Sequence, residues 1–572
     1  MENIYKSKYH RQDPILNFDV NDTMYNTVMN NNKNNMDLYY SRYFNQFKTF
    51  NDLKSETDRL ATALHRDGII ENDVVGVMLL TVPEVCPTLL AINKIGATSF
   101  WLDGSMKPND IVKYVTKNNL KYIVISDVFE PIFRNVIGFT NLQKVISVPV
   151  NPFVKQEKIN EDERFSNYYD YISIENDKTL SCAKYDKEKP TLIVQSSGST
   201  GASKSILHTD FNFNSAMLKM SYSDFPFFKE RKTLVCAPPW IIYGLGNSIY
   251  SGLVMGMQTG FTIKPEEDMI YKHLGEFDFA FGVPVFIRYL YNKIIELKEQ
   301  GNYDELNRII KCLDKTEAFV SGGDKISEED ILLWEQELRT PIINGYGNNE
   351  SVGAAIVSPY FANKPGTIGI PLHDTLVKTY DPVSQKVLYD GEEGELIIST
   401  SSLFKGYLNN EEETRKIKQI HNGREWIHTG DLAVIDEDGY VHLKGRTRRL
   451  IIDKMGYKIS PENSENLISN LPYVEECVVV GVERSENDNV PIAFIELKEN
   501  EKDNEEFLLN DIEKICLENI KEYERPKYYK IIDKIPHKVN GGKQDFKLLE
   551  EMAKEHVREK NKTLILEWQK WL

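Results

Sequence analysis

The chain has 572 residues, more than one hydrophobic core usually organises, and its 41% hydrophobic and 27% charged residues are ordinary globular composition, which excludes collagen-like, wholly disordered and disulfide-stapled classes. Lysine and arginine number 69 against 86 aspartates and glutamates, and the resulting net charge of −17 opposes docking on nucleic acid or an anionic membrane, so any nucleotide ligand is expected to be small and held by a local loop. The six cysteines (Cys86, Cys182, Cys236, Cys312, Cys477 and Cys516) lie far apart with no Cys-x-x-Cys pair, so neither a zinc site nor a disulfide framework is expected, and the simplest reading is a reducing interior.

Residues 1–10 lack the apolar stretch of a secretory signal. No run approaches the roughly 18 apolar residues of a membrane span; the best candidate, 74–85, is broken by Thr81, Pro83 and Glu84. A soluble, cytoplasmic protein is expected. The asparagine cluster at 30–35, interrupted by Lys33, reads as a polar loop. Leu53, Thr57, Leu60, Ala61 and Leu64 then keep helical spacing, with Gly68 as a stop. Residues 74–80, a β-branched apolar run, suit a buried strand, and similar runs recur at 122–125 and 144–147 with helical stretches between. Strands alternating with helices argue for parallel sheets covered by helices. From the turn signal Asp436-Glu-Asp-Gly439 onward the chain is strongly charged, and strands at 474–482 and 492–497 indicate a smaller α+β domain beginning near Gly445. Residues 555–572 read as a helix with Leu564, Leu566, Trp568 and Trp571 for packing.

The sharpest local signal is Thr191-Leu-Ile-Val-Gln-Ser-Ser-Gly-Ser-Thr-Gly-Ala-Ser-Lys204, an apolar strand running into a loop of hydroxyls and glycines closed by a lysine. Glycines let backbone N–H groups approach a polyphosphate, hydroxyls add donors and the lysine adds charge. A flexible Ser/Gly surface loop is the bland alternative, weakened by the buried-looking strand that leads in. A P-loop fails because Ser203 stands where glycine should precede the lysine. A dinucleotide loop fails at Gly244-Leu-Gly246, which has no third glycine at the right offset.

Further segments follow in order: Phe281-Gly-Val-Pro284, Ser321-Gly-Gly-Asp324, Asn344-Gly-Tyr-Gly-Asn-Asn-Glu350, Gly394-Glu-Leu396, Gly406-Tyr-Leu-Asn409 and Thr429-Gly-Asp431. Gly445-Arg-Thr-Arg-Arg-Leu-Ile-Ile-Asp-Lys-Met-Gly456 and Asn540-Gly-Gly-Lys543 complete the series. Together with the loop, this series resembles the adenylate-forming superfamily of acyl-CoA synthetases, firefly-type luciferases and peptide-synthetase adenylation domains, over about residues 50–550. The resemblance implies a large α/β portion, 1–445, of parallel-rich sheets flanked by helices with a small β-rich subdomain, and a smaller mobile α+β domain, 446–572. It implies attack of a carboxylate on the α-phosphate of ATP, with Mg2+, and then thioester formation.

By the same resemblance, Ser196, Ser197, Gly198, Ser199, Thr200, Gly201 and Lys204 would hold the outer phosphates, and Glu350 the magnesium ion. Tyr346 would lie against adenine, and Gly322, Gly323 and Asp324 would line its pocket. Asn349 stands where threonine usually bonds the α-phosphate; its amide can still donate. Asp431 would bind both ribose hydroxyls and Arg446 the ribose and phosphate, whereas by themselves they read as a turn cap and a surface arginine. Lys543 would bridge substrate carboxylate and α-phosphate; alone it reads as a solvated lysine beside a Gly-Gly turn. Arg448, where aspartate or lysine is usual, would be the hinge, and Gly456 would enter the thiol channel.

Residues 237–246, Ala-Pro-Pro-Trp-Ile-Ile-Tyr-Gly-Leu-Gly, resemble the family's substrate wall. Trp240 and Tyr243 are pocket candidates. No carboxylate is there to pair an amino acid's ammonium, and leaving even a neutral polar group unpaired in an apolar wall costs roughly 2–7 kcal/mol. An apolar aliphatic or aromatic acid is therefore expected, although individual residues could equally be core packing. Three readings stand: an acid–CoA ligase, an enzyme loading a carrier protein's phosphopantetheine, and a silent nucleotide-binding protein. Lys204, Glu350, Asp431, Arg446 and Lys543 weigh against the last.

Overall fold

The computed structural model describes residues 9–153, 162–196, 204–226, 228–263, 275–446, 449, 451–452, 458–459, 461–485, 488–520, 522, 524–537 and 544–571. The chain divides into two compact units, the first built from 1–378, 397–429 and 436–442, the second from 379–396, 430–435 and 443–572.

In the first unit the short β-branched runs become the middle of an eight-stranded sheet. Its order is Gly406–Tyr407, Ser205–Thr209, Pro190–Gln195, Thr98–Trp101, Val74–Met78, Tyr122–Ser126, Lys144–Val148, Phe165–Asn167. The pairings from Pro190–Gln195 through Phe165–Asn167 are parallel, while Ser205–Thr209 runs antiparallel to Pro190–Gln195. Both faces of these strands are buried, which is why they read as continuous apolar runs rather than alternating ones. On one face Phe100, Ile123, Ile125 and Val145 meet Ile111, Val115 and Phe133. Helix Phe50–Arg66 carries the predicted periodicity and starts in a capping box between Thr49 and Asp52. It ends two residues before Gly68, whose φ of +94° only glycine adopts readily.

A nine-stranded sheet runs Ile370–Pro371, Gly353–Val357, Ile342–Asn348, Ala318–Gly322, Phe279–Gly282, Lys232–Val235, Gln258–Phe261, Tyr39–Tyr43, Gln46–Thr49. Its central strands are parallel, in register Gly282↔Ser321 and Ser321↔Asn344. Their carboxyl ends, where ligands bind in open α/β sheets, are the ends that carry the motif segments.

One expectation is corrected. Residues 30–32 of the asparagine cluster are not loop but the last turn of helix Met24–Asn32. Asn32 is buried, and its amide donates to the carbonyls of Val28 and Leu253, both at 2.8 Å. Those two bonds offset its weak helix propensity.

In the second unit, strands Val474–Ser485 and Asp488–Leu497 form a hairpin, with Tyr528–Ile531 added parallel. Val478, Val480 and Val482 point to one face with Phe494, Leu549 and Ala553. Cys477 and Val479 point to the other, with Ile468, Ile512 and Cys516 from helices Pro461–Ser469 and Glu505–Asn519. The C-terminal helix spans Phe546–Trp571; the side chains of Leu564, Leu566, Trp568 and Trp571 lie outside those described. Among the described residues no helix is long and apolar enough to cross a membrane.

Candidate active site

The hydroxyl-rich loop leaves the carboxyl end of strand Pro190–Gln195, and its two ends are tied together. The Ser196 N–H donates to the Lys204 carbonyl at 2.8 Å, and the Lys204 N–H donates to Ser196 Oγ at 2.9 Å. Ser197, Gly198, Ser199, Thr200 and Gly201 lie outside the described residues, as do Arg448, Gly456 and Lys543.

Lys204 sits in an anionic and aromatic setting. Its ammonium pairs with Glu413 and lies 4.9 Å from the centre of the Tyr407 ring. Glu413 also binds Lys416, and the two lysines hold its carboxylate down to about 2. The Tyr407 hydroxyl donates to Glu350 Oε1 at 2.8 Å. A single tyrosine therefore joins the lysine closing the loop to the expected metal-binding carboxylate. The sequence alone assigns Tyr407 no role; its place within the ordered Gly406-Tyr-Leu-Asn409 segment is the available signal.

Glu350 rides on a forced turn after strand Ile342–Asn348. Val352 adopts φ +56°, a left-handed conformation that β-branched residues avoid at a cost of about 1–3 kcal/mol, and Gly353 follows at +75°. The turn is crowded: a Cβ on Gly353 would lie 1.7 Å from Asn247 Oδ1, which accepts the Ala354 N–H at 3.1 Å. It is also heavily bonded. Phe404 N–H donates to the Glu350 carbonyl at 2.7 Å, and Ser351 Oγ donates to the Gly353 carbonyl at 2.8 Å.

Asn349 uses both ends of its amide. Nδ2 donates to the Gln195 carbonyl at 3.1 Å, and Oδ1 accepts the Ile242 N–H at 3.3 Å. The strand feeding the loop, the segment expected to form the acid wall and the Glu350 turn thus meet at one side chain. The wall continues into a π-helix, Tyr243–Tyr250, a rare local structure that is frequent at functional sites. The Tyr243 hydroxyl donates to the Val320 carbonyl at 2.6 Å, and burial pushes its pKa well up. Its ring faces Gly322, where a Cβ would be 3.5 Å from Cε2. The Trp240 ring faces Gly104 in the same way, at 3.0 Å from a Cβ there to Cη2. Tyr346 is half-buried and pairs in register with Ile356, while Asp324 is exposed beyond Gly323.

The structure therefore brings Ser196, Lys204, Asn349 and Glu350 together in the first unit and places Tyr243 against Gly322. In the second unit Arg446 Nε lies 3.0 Å from Asp431 Oδ1, so those two candidates are neighbours.

Magnesium is implied by the resemblance, and the residues fit it. Glu350 supplies a carboxylate, the hard oxygen ligand the ion prefers, and Mg2+ is commonly held by one or two carboxylates with the substrate's phosphate oxygens rather than in an all-protein cage. Among the described residues no group of three or more His, Cys, Asp or Glu forms such a cage.

Parallel strand ends carrying a lysine-closed hydroxyl loop beside a tyrosine-held carboxylate define a nucleotide-handling α/β protein. The profile of the AMP-binding enzyme family matches residues 29–408, and that of the AMP-binding enzyme C-terminal domain matches 463–542. The chain belongs to the AMP-binding enzyme family. "Probable 4-coumarate–CoA ligase 1" of Dictyostelium discoideum is 26% identical over 79% of this chain and 81% of its own length. The long-chain-fatty-acid–CoA ligase of Bacillus subtilis (strain 168) is 25% identical over 90% and 92%. Among solved structures, the anthranilate CoA ligase AuaEII with anthranoyl-AMP superposes with a TM-score of 0.77 at 21% identity, covering 93% of this chain and 97% of its own. ATP-bound MatB from Rhodopseudomonas palustris gives 0.78 at 19%, covering 93% and 99%. These likenesses show the adenylate-forming fold.

Proposed function

We propose that the protein activates an apolar aliphatic or aromatic carboxylic acid with ATP, releasing pyrophosphate, and transfers the acyl group from acyl-AMP to the thiol of CoA. The observation that carries this reading is the grouping of Lys204, Tyr407 and Glu350 beside the loop from Ser196. The reaction brings two anions together, so its main need is positive charge and fixed donors around the phosphates. Lys204 and the loop hold the outer phosphates; Asn349 lies beside the α-phosphate; Gly322, Gly323, Asp324 and Tyr346 receive adenine; Asp431 and Arg446 bind the ribose. Mg2+, where bound by Glu350, neutralises triphosphate charge. Lys543 offsets the charge of the carboxylate as it attacks. Residues 446–572 are the mobile portion, turning at Arg448 and bringing Gly456 to the thiol channel. CoA is supported as acceptor by relatives that are named CoA ligases. The wall of Trp240, Ile241, Ile242 and Tyr243 supports an acid without an ammonium group.

Pyrophosphate exchange across aliphatic, aromatic and amino acids, followed by CoA and a carrier protein offered separately, tests the reading. Exchange with apolar acids and thioester formation on CoA is the expected result. No exchange with any acid overturns it, and exchange confined to amino acids overturns the assignment of the wall.

A further inference from the structure

Helix Asp210–Ser221 carries Lys219, which is 1% exposed. Lysine is almost never fully buried unless paired, and no ion pair of Lys219 is found among the described residues. Its Nζ donates at 2.7 Å to Ser402 Oγ, a neutral acceptor that is itself fully buried. Asp374 is the acidic group whose charge reaches it, and burial still draws the ammonium down to about 7. Burying an ammonium without a countercharge is unfavourable, so packing gives no reason for the charge.

The hydroxyl it meets gives one. Ser402 has a single hydrogen to donate, and with the ammonium as donor that hydrogen goes to the Ser351 carbonyl at 2.8 Å. Ser351 follows Glu350 and precedes Val352, the residue forced to positive φ. Two residues beyond Ser402, the Phe404 N–H holds the Glu350 carbonyl, and Tyr407 holds its carboxylate. The 402–407 segment thus clamps the strained turn at three points, and the lysine fixes the first of them.

We propose that Lys219 is a positioning residue for nucleotide and metal binding, acting through the Ser402 hydroxyl to hold the Glu350 turn in its strained form. The proposal rests on the assignment of Glu350 to the metal–triphosphate complex. Outer groups of this kind typically change metal affinity or activity by about 10–100-fold when removed.

Two variants test it, Lys219→Met, which keeps the length of the side chain, and Ser402→Ala, which removes the relay and leaves the lysine. Three quantities are read: thermal midpoint of the free protein, Mn2+ affinity by electron paramagnetic resonance with a non-hydrolysable ATP analogue, and kcat/KM for MgATP in pyrophosphate exchange. Both variants are expected to keep or raise the midpoint, to weaken Mn2+ binding about 10-fold or more, and to be less than additive when combined. Wild-type Mn2+ affinity in both overturns the proposal. So does a Lys219→Met protein with a lowered midpoint beside a Ser402→Ala protein that binds Mn2+ normally, the pattern of a merely structural lysine. If Lys219→Met does not fold, Ser402→Ala decides alone by the same Mn2+ titration. A wild type that binds Mn2+ with the ATP analogue but exchanges with no acid refutes the proposed reaction and leaves this inference standing.

Discussion

Tyr407 lies between two of the proposed triphosphate ligands, its ring facing Lys204 and its hydroxyl on Glu350. Tyr407→Phe keeps the ring and removes one hydrogen bond to a charged acceptor, worth about 1.5–3 kcal/mol. The expected outcome is a fall of roughly 10–100-fold in kcat/KM for MgATP with an unchanged circular dichroism spectrum; a change under twofold would strip the hydroxyl of its role. Lys219 gives a second test, through pH. Its folded-state pKa of about 7 lies below the ordinary 10.5, so between those values the unfolded chain binds more protons and stability rises with pH. The penalty is full below pH 7, on the order of 5 kcal/mol, and fades toward pH 10. The excess stability of Lys219→Met over wild type should therefore narrow steadily from pH 7 to pH 10, measured by urea unfolding of both proteins side by side. A constant gap would mean the buried amine keeps its ordinary pKa and stays protonated like the unfolded one.

At the scale of elements, the turn between strands Ile342–Asn348 and Gly353–Val357 is where local preference and tertiary demand conflict. Gly353→Ala adds a Cβ 1.7 Å from Asn247 Oδ1 at a φ of +75°. Left-handed strain and overpacking together predict a loss of about 2–5 kcal/mol, read as a lower urea midpoint. The strand and helix run from Leu53 to Ser147 was legible because burial on both sheet faces leaves continuous β-branched stretches, and one-sided burial leaves helical periodicity. Asn32 was not, since its bond to Leu253 joins residues that sequence order keeps 221 positions apart. The same reason hid Lys219 and Ser402, which are 183 positions apart and carry no motif of their own.

For the whole molecule, the motif order announced the family, because each segment has a local chemical reason in the proposed site: glycines for close approach, hydroxyls and a lysine for phosphates. The partners that orient those segments are set by packing, and composition says nothing of them. The chemistry proposed for the C-terminal portion belongs at this scale. Lys543→Ala should leave ATP-analogue binding intact and lower adenylate formation about 10²–10³-fold, the usual effect of deleting one electrostatic contact to the transition state; an undiminished rate would remove Lys543 from the reaction.

Asn349 couples two choices that an engineer would prefer to make separately. Its one amide serves Gln195, which leads into the proposed phosphate loop, and Ile242, in the proposed acid wall. A mutation there that admits a bulkier acid must also disturb the strand that launches the phosphate loop. Directed evolution toward new acids should accordingly accumulate changes around 240–243 first, and any winner altered at 349 should carry a second, compensating substitution and an altered nucleotide affinity.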